Sequence, residues 1–149
     1  MPSAAKKPPS AATAGYSGKP LWQKLGLKPG LRVHLAHAPE GYFSLCGFDA
    51  AQVAVIARKT GAWDFSHVFA TKRAELERDL PWLIAGLADQ GMLWISWPKK
   101  SAKVATDITE DTLRDIVLPL GLVDVKVCAV DETWSALKFV RRKGSKKSP

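Results

Sequence analysis

The sequence predicts a three-layer α/β domain with a mostly parallel sheet and a C-terminal antiparallel hairpin. Short β-branched and apolar runs alternate with helical patterns over most of the chain, which implies parallel strands joined by crossover helices. Two long helical stripes exclude an all-β sandwich. The chain then closes on two apolar runs separated only by Asp131-Glu132-Thr133, which reads as a hairpin on one edge of the sheet.

Each element follows from its local pattern. Pro20 opens a short helix over Leu21–Leu25, with Leu21, Trp22 and Leu25 as its apolar face. Lys28-Pro29-Gly30 turns, and Leu31–Ala36 is the first strand. Ala38-Pro39-Glu40-Gly41 breaks it, and a short helix over Tyr42–Cys46 ends at Gly47. Gln52–Ala57 is the second strand and Phe65–Ala70 the third. In the third, Phe65, His67 and Phe69 share one face, and Ser66 and Val68 the other.

Arg73–Ala88 is the longest helical pattern, with Leu76, Leu80, Leu83, Ile84 and Leu87 at helical spacing. Pro81 lacks an N–H and predicts a kink or restart. Gly91 precedes the fourth strand, Met92–Trp97. Thr109 caps the next helix, favoured by Glu110 and Asp111 in its first turn and carrying Leu113, Ile116, Val117 and Leu120 as its buried stripe. Val123–Val130 and Trp134–Val140 are the fifth and sixth strands.

The 149 residues suit one domain, and the +8 formal charge is confined to the ends. Residues 1–19 and 141–149 hold eight Lys and Arg with no acid, whereas residues 20–140 hold fourteen basic and fourteen acidic side chains. The expected organisation is a disordered basic tail over 1–19, one domain over 20–142 and a second basic tail over 143–149. Neither tail has the apolar content to offset chain entropy. Lysine tails of this kind screen phosphates without reading sequence, so weak nucleic-acid contact is one expected role. No run is long enough to span a bilayer and no apolar h-region follows Met1, so no membrane is expected. Two Cys make neither a disulfide framework nor a zinc site, and a reducing cytoplasm is the expected compartment.

Two resemblances add to this reading. Leu27-Lys28-Pro29-Gly30-Leu31-Arg32-Val33, the stretch from Leu87 to Trp97, the last helix and the terminal hairpin together resemble a small Rossmann-like, methyltransferase-like domain. That resemblance implies the strand order 2-1-3-4-6-5. A closer similarity is to short bacterial proteins sharing domain of unknown function 3052. It is carried by Gly15-Tyr16-Ser17-Gly18-Lys19-Pro20-Leu21, Leu25-Gly26-Leu27-Lys28-Pro29-Gly30, Ala38-Pro39-Glu40-Gly41-Tyr42, Trp97-Pro98-Lys99-Lys100-Ser101, Val104-Ala105-Thr106-Asp107 and the stretch from Lys126 to Ser135. It spans about residues 15–142 and implies a fold and a bacterial setting, with no activity to transfer.

Methyltransferases and dinucleotide-binding domains follow the first strand with a glycine-rich turn. Here His37-Ala38-Pro39-Glu40-Gly41 stands there, with one glycine and a proline that removes an N–H. Ala57-Arg58-Lys59 occupies the end of the second strand, where an acidic ribose anchor belongs. The sequence therefore disfavours bound S-adenosylmethionine (SAM) or NAD, and no cofactor is expected. The leading expectation is a non-catalytic Rossmann-like module with a binding or regulatory role. The alternatives are an enzyme acting on a small anionic metabolite, including a divergent methyltransferase, and a nucleic-acid accessory protein acting through its tails.

Ligands of open α/β sheets bind outside the carboxyl ends of the strands, where strand order switches. The implied order puts that point between the first and third strands. His37, Glu40 and Tyr42 lie on one side, Thr71, Lys72 and Arg73 on the other, and Lys99, Lys100 and Ser101 follow the fourth strand. The basic groups beside a helix N-terminus read first as solvated loop charge; the functional alternative is that they hold an anion, with His37 as the candidate general base and Glu40 as its partner. Mid-strand His34 and His67 are expected to be hydrogen-bonded core residues. Asp131 and Glu132 read as a turn pair, and neither Cys has a basic neighbour to activate it. No metal site is expected.

Overall fold

Six strands form one sheet in the order β2-β1-β3-β4-β6-β5, as the sequence predicts. The computed structural model describes residues 19–142, so residues 1–18 and 143–149, nearly all of the two expected tails, lie outside the described residues. The strands are β1 (Arg32–Ala36), β2 (Ala54–Ile56), β3 (Trp63–Phe69), β4 (Leu87–Pro98), β5 (Leu122–Ala129) and β6 (Trp134–Arg141). β2, β1, β3 and β4 run parallel, and β6 enters antiparallel between β4 and β5. The helices are α1 (Leu21–Leu25), α2 (Tyr42–Cys46), α3 (Arg73–Ala85) and α4 (Glu110–Val117).

The strand alternation divides the core between two faces. Val68, Ile95 and Trp97 pack with Leu76, Leu80 and Leu83 of α3 and with Leu113, Ile116 and Val117 of α4. Phe65, Phe69 and Trp94 pack with Leu25 of α1 and with Tyr42 and Cys46 of α2. Trp94 and Trp97, three residues apart on β4, thus serve opposite layers. The Trp94 indole N–H donates to the Leu25 carbonyl at 2.8 Å, tying α1 to the sheet from 69 residues away. Each fully buried Leu adds about 1.5–3 kcal/mol of burial free energy, so these layers dominate stability.

Two buried histidines stitch neighbouring strands. His34 Nδ1 of β1 lies 3.0 Å from Ser66 Oγ of β3, and its ring stacks on Trp63 with centroids 4.4 Å apart. His67 of β3 is fully buried and reaches both ways, to Tyr42 Oη at 2.7 Å and to Ser96 Oγ of β4 at 2.7 Å. Burial lowers both pKa values, that of His67 from 6.5 to about 3, so both rings are neutral core hydrogen-bonders.

The structure corrects the element ends. α3 stops at Ala85 and Leu87 belongs to β4, where it pairs with Trp63 and is fully buried. The cause is Gly86, whose carbonyl accepts the Trp63 N–H at 2.8 Å and whose Cα face lies against the Trp63 ring. Helical spacing continues past the true end because Leu83 and Leu87 are both core residues. α3 continues through Pro81 as one helix, so the chain does not restart there. β2 shortens to three residues because the Asp49 carboxylate accepts the Ala51 N–H at 2.9 Å and winds Ala50–Gln52 into a 3₁₀ turn. Leu120 is 46% exposed and outside the α4 stripe, because Pro119 helps turn Leu118–Leu120 into a 3₁₀ segment. Thr109 caps α4 as expected, in a reciprocal box with Thr112.

Candidate ligand cleft

A cleft of about 240 Å³ opens at the carboxyl ends of β1 and β3, the switch in strand order. Its floor is the end of β3 and the residues after it: Val68, Phe69, Ala70 and Thr71. His37 stands on the β1 side, Glu75, Leu76 and Asp79 of α3 on the other, and Trp134 of β6 closes one end. The Phe69 and Trp134 rings meet edge to face at 5.1 Å. His67 stacks beneath Phe69 at 4.4 Å, so the buried Tyr42–His67–Ser96 chain fixes this floor from below.

His37 is exposed and holds φ 58°, one of two non-glycine residues among the described ones with positive φ. That conformation costs on the order of 1–2 kcal/mol. It turns the chain out of β1 toward Gly41, which caps α2 at φ 78°. A Cβ on Gly41 would meet nothing within 4 Å, so its face of the loop is open. At the end of β2, Arg58 lies within 3.6 Å of the space beside Gly61, and Lys59 Nζ sits 5.4 Å from the Trp82 ring.

Of the ligand-facing residues expected from sequence, only His37 and Thr71 line the cleft. Glu40 is exposed and does not line it. Tyr42 is buried, its hydroxyl held by His67, so it is a core residue with no ligand-facing surface. None of Lys72, Arg73, Lys99 and Lys100 lines the cleft. The Arg73 side chain pairs with Glu77 at 3.5 Å, and the Asp107 carboxylate accepts the Arg73 N–H at 2.7 Å, so the protein's own acid satisfies the start of α3. Lys99 N–H donates to the Thr133 carbonyl, and Lys100 with Ser101 forms a 3₁₀ turn.

The cleft residues that sequence reasoning missed are Phe69, Glu75, Asp79 and Trp134. Glu75 and Asp79 are spaced i, i+4 and flank the core residue Leu76, a signal readable once α3 is placed on β3. Asp79 Oδ1 accepts the Trp82 indole N–H at 3.2 Å and lies 3.3 Å from Arg78 Nε. Glu75 makes no ion pair among the described residues. Asp131 Oδ1 accepts the Thr133 and Trp134 N–H groups at 2.8 Å each, so Asp131 builds the turn that presents Trp134. Burial pushes the Cys46 thiol up to about 12 and raises Cys128 as well, which leaves both thiols protonated. Among the described residues no group of three or more His, Cys, Asp or Glu is placed to hold a metal, and no helix is long and apolar enough to cross a membrane.

The chain superposes on magnesium protoporphyrin IX methyltransferase from Synechocystis PCC 6803, solved with bound SAH, with TM-score 0.60 and 14% identity over 81% of this chain and 78% of that one. It is similar to ribosomal protein L11 methylase from Lactobacillus delbrueckii subsp. bulgaricus at TM-score 0.54 and 11% identity, covering 80% and 74% of the two chains. An O-methyltransferase family 2 protein from Planctomyces limnophilus, in complex with apigenin, matches at TM-score 0.56 and 10% identity over 89% of this chain and 54% of its own. The fold is that of SAM-dependent methyltransferases. No protein-family model and no curated protein matches the sequence. These neighbours correct the expectation of a non-catalytic module. That expectation took Pro39 in the first loop as closing the cofactor site, yet the fold as a whole matches that of a methyltransferase solved with bound SAH.

Proposed function

We propose that this chain is a divergent methyltransferase-like domain whose ligand site is the cleft at the carboxyl ends of β1 and β3. The observation that carries the reading is the position of the cleft at the strand-order switch of a methyltransferase fold. Two features fit a SAM-type cofactor: the open face of Gly41 lets a ligand approach the loop backbone, and Phe69 with Trp134 offers an aromatic wall. His37, Phe69 and Trp134, which line the cleft, are the residues that would hold it. When bound, SAM supplies a methyl group on a positively charged sulfur. His37, exposed on the cleft wall, is placed to take a proton from an acceptor. The departure at the end of β2, where Arg58 and Lys59 replace an acid, means that the ribose end is held differently from a carboxylate-anchored site. Membership of the family with domain of unknown function 3052 rests on the sequence phrases that resemble it.

Calorimetry with SAM and SAH tests the reading. Micromolar binding of either is expected, weakened at least tenfold by Ala70→Phe, which fills the cleft floor while leaving the Thr71 backbone contacts in place. Absence of heat with both ligands overturns it.

The neutral charge of residues 20–140 beside two all-basic ends supports a second, independent role in weak polyanion binding. Removing residues 1–19 and 143–149 is expected to abolish a salt-sensitive gel shift with duplex DNA. An unchanged shift after truncation contradicts this role.

A further inference from the structure

We infer that the acceptor of this domain is a single-stranded nucleic acid, its phosphates held by a lysine rim beside the cleft and one unstacked base set against Trp134. The inference rests on the reading of the cleft as a methyltransferase site and names its substrate class.

The strand register builds the rim. Phe69 of β3 pairs with Ser96 of β4, so Lys72 and Lys99 each stand three residues beyond one row of the sheet, on chain leaving neighbouring strands about 4.8 Å apart. Pro98 of β4 pairs with Trp134 of β6, and the Lys99 N–H donates to the Thr133 carbonyl at 2.8 Å, which sets Lys99 beside the Trp134 end of the cleft. Lys100 begins the 3₁₀ turn, and Lys103 leaves it at φ 56°. The chain after this turn is stapled back to the cleft floor. The Thr106 hydroxyl donates to the Thr71 carbonyl at 2.7 Å, the Asp107 N–H donates to the same oxygen at 3.3 Å, and Thr71 lines the cleft.

The charge on this rim is available to a ligand. Lys72, Lys100 and Lys103 are exposed and Lys99 is half-buried. None of the four makes an ion pair among the described residues. Of the acids on these segments, Asp107 and Asp131 are engaged by backbone N–H groups and Glu77 by Arg73, which leaves Glu75 and Glu132 against the four lysines. Residues 20–140 are neutral as a whole, so this edge stands apart from the rest of the domain.

Trp134 supplies the other half of the recognition. It lines the cleft, half-buried, and its indole N–H has no acceptor among the described residues, unlike those of Trp63, Trp82 and Trp94. Lysines in a row follow a phosphate backbone, and an aromatic side chain stacks any base. A base inside a duplex is covered by its neighbours, so this edge selects an unstacked one.

Fluorescence anisotropy of the full chain with labelled oligo-dT and oligo-U, ten nucleotides each, tests the inference. The variant K72Q/K99Q/K100Q/K103Q keeps the backbone bonds of the turn. It is expected to bind both strands about tenfold or more weakly, and to flatten log affinity against log salt by up to about 3, at about 0.7 per phosphate neutralised. Trp134→Leu is expected to weaken binding about tenfold and Trp134→Phe to restore most of it, with the thermal midpoint of each checking the fold. A duplex of the same length, held by the basic ends, is expected to bind the native chain and the quadruple variant alike. In the native chain, oligo-dT is expected to shift the NMR signal of the Trp134 indole N–H, and poly-glutamate to leave it in place. Whichever single strand binds more tightly identifies the acceptor as DNA or RNA. Unchanged affinity in the quadruple variant or in folded Trp134→Leu, an equal loss for the duplex, no indole shift, or an equal shift with poly-glutamate overturns the inference. SAH binding without strand binding at the rim sinks the inference alone, whereas strand binding with no SAM or SAH binding sinks the methyltransferase reading alone.

Discussion

Gly86→Ala is expected to destabilise the fold by ~3 kcal/mol or more. A Cβ at this position would sit 2.1 Å from Trp63 Cζ2 and 2.4 Å from Cη2. Trp63 is fully buried, and its indole N–H donates to the Leu83 carbonyl at 3.1 Å, so the ring cannot rotate away without losing that bond. Overpacking of a filled core costs about 1–3 kcal/mol for an added methylene, and a rigid ring as the opposing surface puts this site at the top of that range. The loss corresponds to a midpoint about 12 °C lower or more, at roughly 4 °C per kcal/mol. The cause is a single contact, so the effect must be coupled to it. Trp63→Leu alone also destabilises, by a cavity and a lost hydrogen bond, but Gly86→Ala added to Trp63→Leu is expected to cost less than half of its effect in the native background. Additive losses in thermal or urea unfolding would show that the Gly86 requirement has another origin.

The second large effect is at His67. Its ring satisfies the Tyr42 and Ser96 hydroxyls from the centre of the sheet. His67→Leu conserves much of the volume but strands two buried hydroxyls, each worth about 1–3 kcal/mol, so a loss of ~2–5 kcal/mol is expected near neutral pH. The pH dependence has a definite sign. The folded ring has its pKa lowered from 6.5 to about 3, so the folded protein binds fewer protons than the unfolded chain between those values. The His67 contribution is therefore full above about pH 6.5 and falls as pH drops toward 3, by up to about 1.4 kcal/mol per pH unit. His34 adds in the same direction. Urea unfolding of the native protein at pH 7.5 and pH 5 is expected to show this decline, and His67→Leu to flatten it. The penalty of the substitution then shrinks as pH falls. A pH slope identical in the two proteins would place the coupled proton elsewhere.

Much of the architecture was legible in the sequence because local pattern and tertiary position agree. Trp94 and Trp97, three apart on a strand, were readable as facing opposite layers, and the Thr109 cap and the hydrogen-bonded strand histidines follow from residue chemistry. The strand order followed from the methyltransferase-like layout. The end of α3 was not legible. Leu83 and Leu87 keep helical spacing, and what stops the helix is the Trp63 ring, 23 residues earlier in the chain. The cleft was half legible. Its location at the β1 and β3 ends, with His37 and Thr71, followed from topology, but its charge did not. Lysines near strand ends suggested an anion, while Asp107 and Glu77 engage the start of α3 and the Arg73 side chain. The acids that line the cleft stand on a helix wall, and sequence spacing alone does not say which wall faces the opening.

The central claim is that the cleft between the β1 and β3 ends is the ligand site of a methyltransferase-like domain. Mapping backbone amide shifts during titration with SAH tests it most directly. The account predicts saturable shifts confined to the loop His37–Gly41, the end of β3 through Thr71, and Trp134. Shifts centred on another surface, or none at saturating SAH, would contradict it.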